Sequence, residues 1–221
     1  MGHFTKDYIA FFRDLANNNN KNWFDQNRKR YEISVKKPFT AFVEEVIVRI
    51  YADNPDVLIT PSEAIFRINR DIRFSNDKTP YKTHMSAFIS PGGKKAKDEP
   101  GFYFQFGVNG IRIYSGVYQL DKDDLNKVRS AIAVNSDNFS KIINNDNFRL
   151  KYGEILGDKH KRIPPEYKEA VIKQPLIANK NFYVMADIED KYIISPHLSD
   201  LLMDYYYAVK TFLEFLTKSL Q

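Results

Sequence analysis

Between residues 102 and 120 the chain alternates apolar and polar side chains around the dipeptide Asn109-Gly110, and no other stretch limits the fold as strongly. A period of two places successive side chains on opposite faces of a strand. Asn-Gly is the dipeptide that best accepts the positive backbone angles of a two-residue type I′ turn, so the spacing predicts a hairpin of fixed register. Pairing outward from that turn sets Val108 against Ile111, Phe106 against Ile113, Phe104 against Ser115 and Phe102 against Val117. These make one buried face. Tyr103, Gln105, Gly107, Arg112, Tyr114 and Gly116 fall on the other.

Before and after the hairpin the period is helical. Thr5 is placed to cap a first helix, with Phe4 and Ile9 at the hydrophobic-staple positions and Tyr8, Phe11, Phe12 and Leu15 on one face. Asn22 is expected to cap a second, carrying Trp23, Phe24, Asn27 and Tyr31, which Pro38 should break or kink because proline removes a donor and clashes with the preceding turn. Phe39, Phe42, Val43, Val46, Ile47 and Ile50 then form the clearest apolar stripe in the chain. Further strands are expected over Phe66 to Phe74 and Thr83 to Ile89. Downstream, Asp121 and Ser136 begin two helices, a short helix is expected over 166–172, and Phe182 to Ile188 reads as the last strand. Ser195 with Pro196 opens a long final helix whose stripe includes Leu198, Leu202, Tyr205, Val209, Phe212 and Leu216. Helices first, strands in the middle and helices last imply an α+β fold. It is expected as a mainly antiparallel sheet of about five strands, packed with the N- and C-terminal helices in one domain over 1–221.

Composition narrows the chemistry. The 17 Phe and 14 Tyr supply a core without cross-links, and the absence of cysteine excludes disulfides, thiol catalysis and cysteine-ligated metals. The four histidines are too dispersed for local metal-ligand spacing, and there is no Walker loop, G-x-G-x-x-G, G-x-S-x-G or H-E-x-x-H. Met1-Gly2-His3 opens no signal peptide and no apolar run reaches the length of a membrane span, so a cytoplasmic location is expected. Of a net charge of +5, most comes from residues 61–112, where nine Lys and Arg face five acids. A basic field of this kind favours an anionic partner.

That field centres on residues 66–84, where Arg67, Arg70, Arg73, Lys78 and Lys82 mingle with Asp71 and Asp77. Two readings stand side by side. In one, Arg67 and Arg73 project from a strand face as forks for phosphate or carboxylate, with Arg70, Lys78, Tyr81 and Lys82 adding contacts. Asp71 or Asp77 would then be the acid-base candidate if there is a reaction. In the other, Arg70 and Asp71 or Asp77 form an internal ion-pair network pinning the turn, since a charge on a core face must be paired. A small anionic ligand, with phosphorylated ones among its class, is the partner of the first reading, and a structural or interaction module is the second. Nucleic acid ranks below both: Gly101-Phe102-Tyr103-Phe104-Gln105-Phe106 lacks the basic residue that opens an RNA-binding strand motif. Cofactor and oligomeric state are not legible.

The run Arg70-Asp71-Ile72-Arg73-Phe74-Ser75-Asn76-Asp77-Lys78-Thr79-Pro80-Tyr81-Lys82-Thr83 resembles a widespread bacterial and fungal family of conserved proteins, classed as a domain of unknown function. Trp23-Phe24-Asp25-Gln26-Asn27-Arg28 with Tyr31, Phe66-Arg67-Ile68, Pro100-Gly101-Phe102-Tyr103 and Gly116-Val117-Tyr118 match it too, so the resemblance spans roughly 5–217. It departs at Pro164-Pro165-Glu166-Tyr167, where the family would show Lys-Gly-Tyr before a His-Pro. The resemblance implies one domain and carries no reaction.

Overall fold

The computed structural model describes residues 2–221. Helices α1 (Lys6–Asn17), α2 (Lys21–Gln26), α3 (Arg28–Tyr31), α4 (Lys37–Asp53) and α5 (Pro61–Ala64) precede strands β1 (His84–Ile89), β2 (Gly101–Gly107) and β3 (Gly110–Val117). Helices α6 (Lys122–Val134), α7 (Ser136–Ile143), α8 (Asp146–Tyr152) and α9 (Lys168–Lys173) lead to strand β4 (Phe182–Ile188) and helix α10 (Leu198–Leu220). The strands form one antiparallel sheet in the order β1-β2-β3-β4, so the fold is α+β with four strands.

The strand expected over Phe66 to Phe74 does not form, which removes the fifth. Its first half meets the chain beside β1 only at Ile65–Ala87 and Asn69–Tyr81, with two extra residues on the β1 side between those bridges. Its second half is a turn, where side chains satisfy the backbone in place of a ladder. Lys78 Nζ donates to the Ile72 carbonyl at 3.0 Å, and Asp71 accepts from the Arg73 amide at 3.3 Å. Phe74, expected in the core, is 95% exposed.

The chain divides into two compact units, residues 1–95, 103–113 and 187–203 in one and 96–102, 114–186 and 204–221 in the other. In the first, α1 and α4 bury Tyr8, Phe12, Phe39 and Phe42 against Phe104 and Phe106 of β2. The Phe106 ring has the rings of Phe4, Phe39, Phe42 and Phe104 within 5.3–5.7 Å, and its carbonyl accepts from the Tyr8 hydroxyl at 3.1 Å. In the second, Phe139 of α7 and Phe148 of α8 pack on Phe215 and Phe212 of α10 at 5.0 and 5.8 Å. The buried stripe of α10 takes in Met203 and Tyr206, whereas Tyr205 is only half-buried.

Local details also differ from the sequence reading. Asn20, not Asn22, caps α2 by accepting from the Trp23 amide at 3.0 Å. Pro38 does not break its helix: Glu32–Lys36 winds as a π-helical turn, in which the Lys37 amide bonds the Glu32 carbonyl, and α4 continues from it. That wider turn separates the proline ring from the carbonyl it would strike in an α-helix. The hairpin buries the predicted face, yet β2 closes at Gly107 and β3 opens at Gly110, so Val108 and Asn109 make the turn. Only Gly110 takes a positive φ there, +86°, so the turn is not type I′.

Candidate functional site

All the charged residues of the 67–82 motif lie in the first unit, and they separate into a closed turn and the two bridged segments flanking it, its strand half, although neither segment is part of the sheet. In the turn, the Arg70 guanidinium bonds the Asp77 carboxylate and the Thr79 hydroxyl, with Ser75 Oγ at 3.4 Å. The Thr79 amide donates to the other Asp77 oxygen at 2.9 Å. That amide first, and then Arg70, hold Asp77 down at about 2. Asp71 also sits at about 2, because Arg73 grips it through Nε at 2.9 Å and Nη2 at 2.7 Å. Carboxylates held so low are ionised acceptors and weak bases at neutral pH. Arg70, Asp71, Arg73, Asp77 and Lys78 are therefore bonded to one another or to the turn's own backbone.

Tyr81 is also engaged. Its buried ring stacks on Phe24 at 4.1 Å and 15°, and its backbone amide and carbonyl both bond the Asn19 side chain, at 3.1 and 2.9 Å. The asparagine amide takes the place of a neighbouring strand. This joins the Trp23 to Arg28 segment to the Thr79-Pro80-Tyr81 turn, although they are far apart in sequence.

The strand half is different. Arg67 is exposed and Lys82 half-buried, and among the described residues neither has a carboxylate within ion-pair distance. Lys82 Nζ stands 5.3 Å from the centre of the Phe66 ring. Burial, and secondarily the charge of Arg67, push its ammonium below the ordinary lysine value. His84, two residues on, opens β1 and is half-buried as well. Burial, then Lys82 and Arg112, push its imidazole down to about 4, so it is neutral at pH 7. It lies over Gly107: a Cβ there would collide with the Thr83 carbonyl and come within 2.6 Å of His84 Cβ. Arg112 is paired to Asp187 at 2.6 Å.

Beside them, Tyr103 and Gln105 alternate with buried Phe102, Phe104 and Phe106 and so project from the sheet face away from that core. The Tyr103 ring is 6.1 Å from that of Phe66, and its hydroxyl donates to Gln105 Oε1 at 2.8 Å. The sequence reading put Tyr103 and Gln105 on this face but did not join them to Lys82. Nor did it single out Phe66 or His84. Among the described residues, no group of three or more histidines and acids is placed to hold a metal ion.

His84 gives this face a pH signature. Its folded value lies below the unfolded one of about 6.5, so the unfolded chain binds the proton first and stability falls as pH drops from 6.5 toward 4. The expected loss is roughly 1–3 kcal/mol, discounted for partial exposure. Denaturant melts of wild type and His84→Gln across that window should show the larger loss in wild type, since His160, also lowered, contributes equally in both. Asp71 and Asp77 add a separate loss below about pH 4, present in both proteins.

The second unit has a polar cluster of its own. Arg129, only 4% exposed, donates through Nε to the Ile177 carbonyl at 2.9 Å and through Nη2 to the Asn179 carbonyl at 3.2 Å. It clamps the turn that precedes β4.

Residues 7–215 match the model of a family described as a conserved hypothetical protein, DUF2461. The chain belongs to the DUF2461 family. The match takes in the closed turn, the strand half and Arg129 alike, in agreement with the resemblance drawn from the Arg70 to Thr83 run. No curated protein and no solved structure matches this member of the family. No helix among its described residues is long and apolar enough to cross a membrane.

Proposed function

We propose that the protein binds a small anionic, phosphorylated ligand on the strand half of its basic motif, with Lys82 and Arg67 as the cationic contacts. One observation carries the reading. Lys82 is half-buried beside a second cation, and among the described residues no carboxylate is paired with it. A desolvated ammonium costs free energy unless an opposite charge offsets it, and a bound phosphate supplies that charge. Arg67 adds a planar fork suited to two phosphate oxygens.

The test is a thermal melt in inorganic phosphate at neutral pH. The melting temperature should rise by about 5 °C or more at phosphate a hundredfold above its dissociation constant. Lys82→Met should abolish that rise while melting no lower than wild type in chloride, since it removes a poorly solvated charge. A wild type indifferent to phosphate, or a variant that still responds, overturns the assignment.

The alternative, a structural or interaction module, is favoured by the turn half, where Arg70–Asp77 and Arg73–Asp71 pair among themselves. In the present reading these pairs hold the turn in place while the strand half receives the ligand. Under the alternative the whole motif is scaffold and no anion shifts the melt. No reaction is assigned.

A further inference from the structure

We infer that the anion received at Lys82 is the phosphate of a nucleotide whose base lies on Tyr103; this rests on the anion reading above. Both lie against the Phe66 ring, Lys82 Nζ 5.3 Å from its centre and the Tyr103 ring 6.1 Å from it. A cation and an aromatic ring held against one common ring are close enough to be bridged by one nucleotide, whose phosphate and planar base are joined by a single sugar. Both aromatic rings are half-buried, so each keeps surface for a ligand while its neighbours hold it in place.

His84 nearby is a neutral imidazole, which adds no charge beside the base. The Tyr103 hydroxyl bonds Gln105 Oε1, and the same carboxamide carries two N–H donors of the kind that bind an acceptor on a base or ribose. Stacking on tyrosine accepts any base, because every base offers a π-face. The ligand class is therefore nucleotides in general. A sugar phosphate would engage Lys82 and Arg67 but leave Tyr103 and Gln105 unused.

The full chain is titrated calorimetrically with inorganic phosphate, with ribose phosphate and with the monophosphates of adenosine, guanosine, cytidine and uridine. The nucleotides should bind about tenfold or more tightly than ribose phosphate, the gain of one stacked base. Tyr103→Leu should erase that advantage and leave ribose phosphate binding unchanged. Tyr103→Phe, which keeps the ring and loses only the hydroxyl, should retain it and shows that the site survives substitution. Lys82→Met should weaken every ligand. Equal affinity for nucleotides and ribose phosphate overturns the inference and leaves the anion site standing, as does a nucleotide advantage that persists in Tyr103→Leu. No binding by any probe overturns both.

Discussion

Phe106→Ala is expected to destabilise the protein by about 3–5 kcal/mol, the range for deleting a fully buried phenyl ring. The ring has no exposed surface and is enclosed by Phe4, Phe39, Phe42 and Phe104, which belong to three different segments. Those rings are held by the segment leading into α1, by α4 and by β2, so the cavity cannot collapse cheaply, and the packing loss adds to the transfer loss. The backbone bond from Tyr8 to the carbonyl of residue 106 is independent of the side chain and should survive. Urea titration should show a lower midpoint with an unchanged slope. Phe74→Ala is the control: the side chain is 95% exposed, and its removal should leave the midpoint within experimental scatter. A loss below about 1 kcal/mol for Phe106→Ala would mean that β2 does not carry this core.

Arg129→Met should cost about 2–4 kcal/mol. Methionine keeps the reach of the side chain but removes both donors, so the carbonyls of Ile177 and Asn179, residues with almost no exposure, are left without them. Each unpaired buried acceptor costs about 1–3 kcal/mol. Part of this is offset because burial already disfavours the charged guanidinium, as its lowered pKa records. A second readout separates lost wiring from general damage. The His160 pKa is lowered by burial first and then by the charge of Arg129, so in the variant it should rise toward its ordinary value. Proton titration by NMR reads it directly. An unmoved His160 together with full stability would remove Arg129 from the account of the second unit.

The helical stripes were the most legible part of the chain. Phe39, Phe42, Val43, Val46, Ile47 and Ile50 are all buried as their spacing required, because one apolar face of a helix has a single way to turn inward. The hairpin showed its buried face for the same reason, yet its turn came one residue early. Parity fixes which side chains share a face, but the turn depends on the backbone angles of two residues, and Asn109 did not adopt the positive one. The strand over 66–74 misled because alternating charge and apolar residues look the same whether neighbouring strands or local side chains satisfy the backbone. Asp71, Asp77 and Lys78 do so here. The grouping of Lys82, Phe66 and Tyr103 was invisible for another reason: its members come from three segments, and periodicity reports only within one.

The widened turn ahead of Pro38 ties two features of the chain together. A π-helical turn holds one residue more than regular winding needs, and it lets the segments on either side keep their inward faces aligned. Deleting a residue from Glu32–Lys36 would restore ordinary winding but drive the pyrrolidine ring against the carbonyl one turn back. Replacing the proline alone would leave the surplus residue with nothing to accommodate. A deletion in that turn should therefore be tolerated only together with replacement of Pro38.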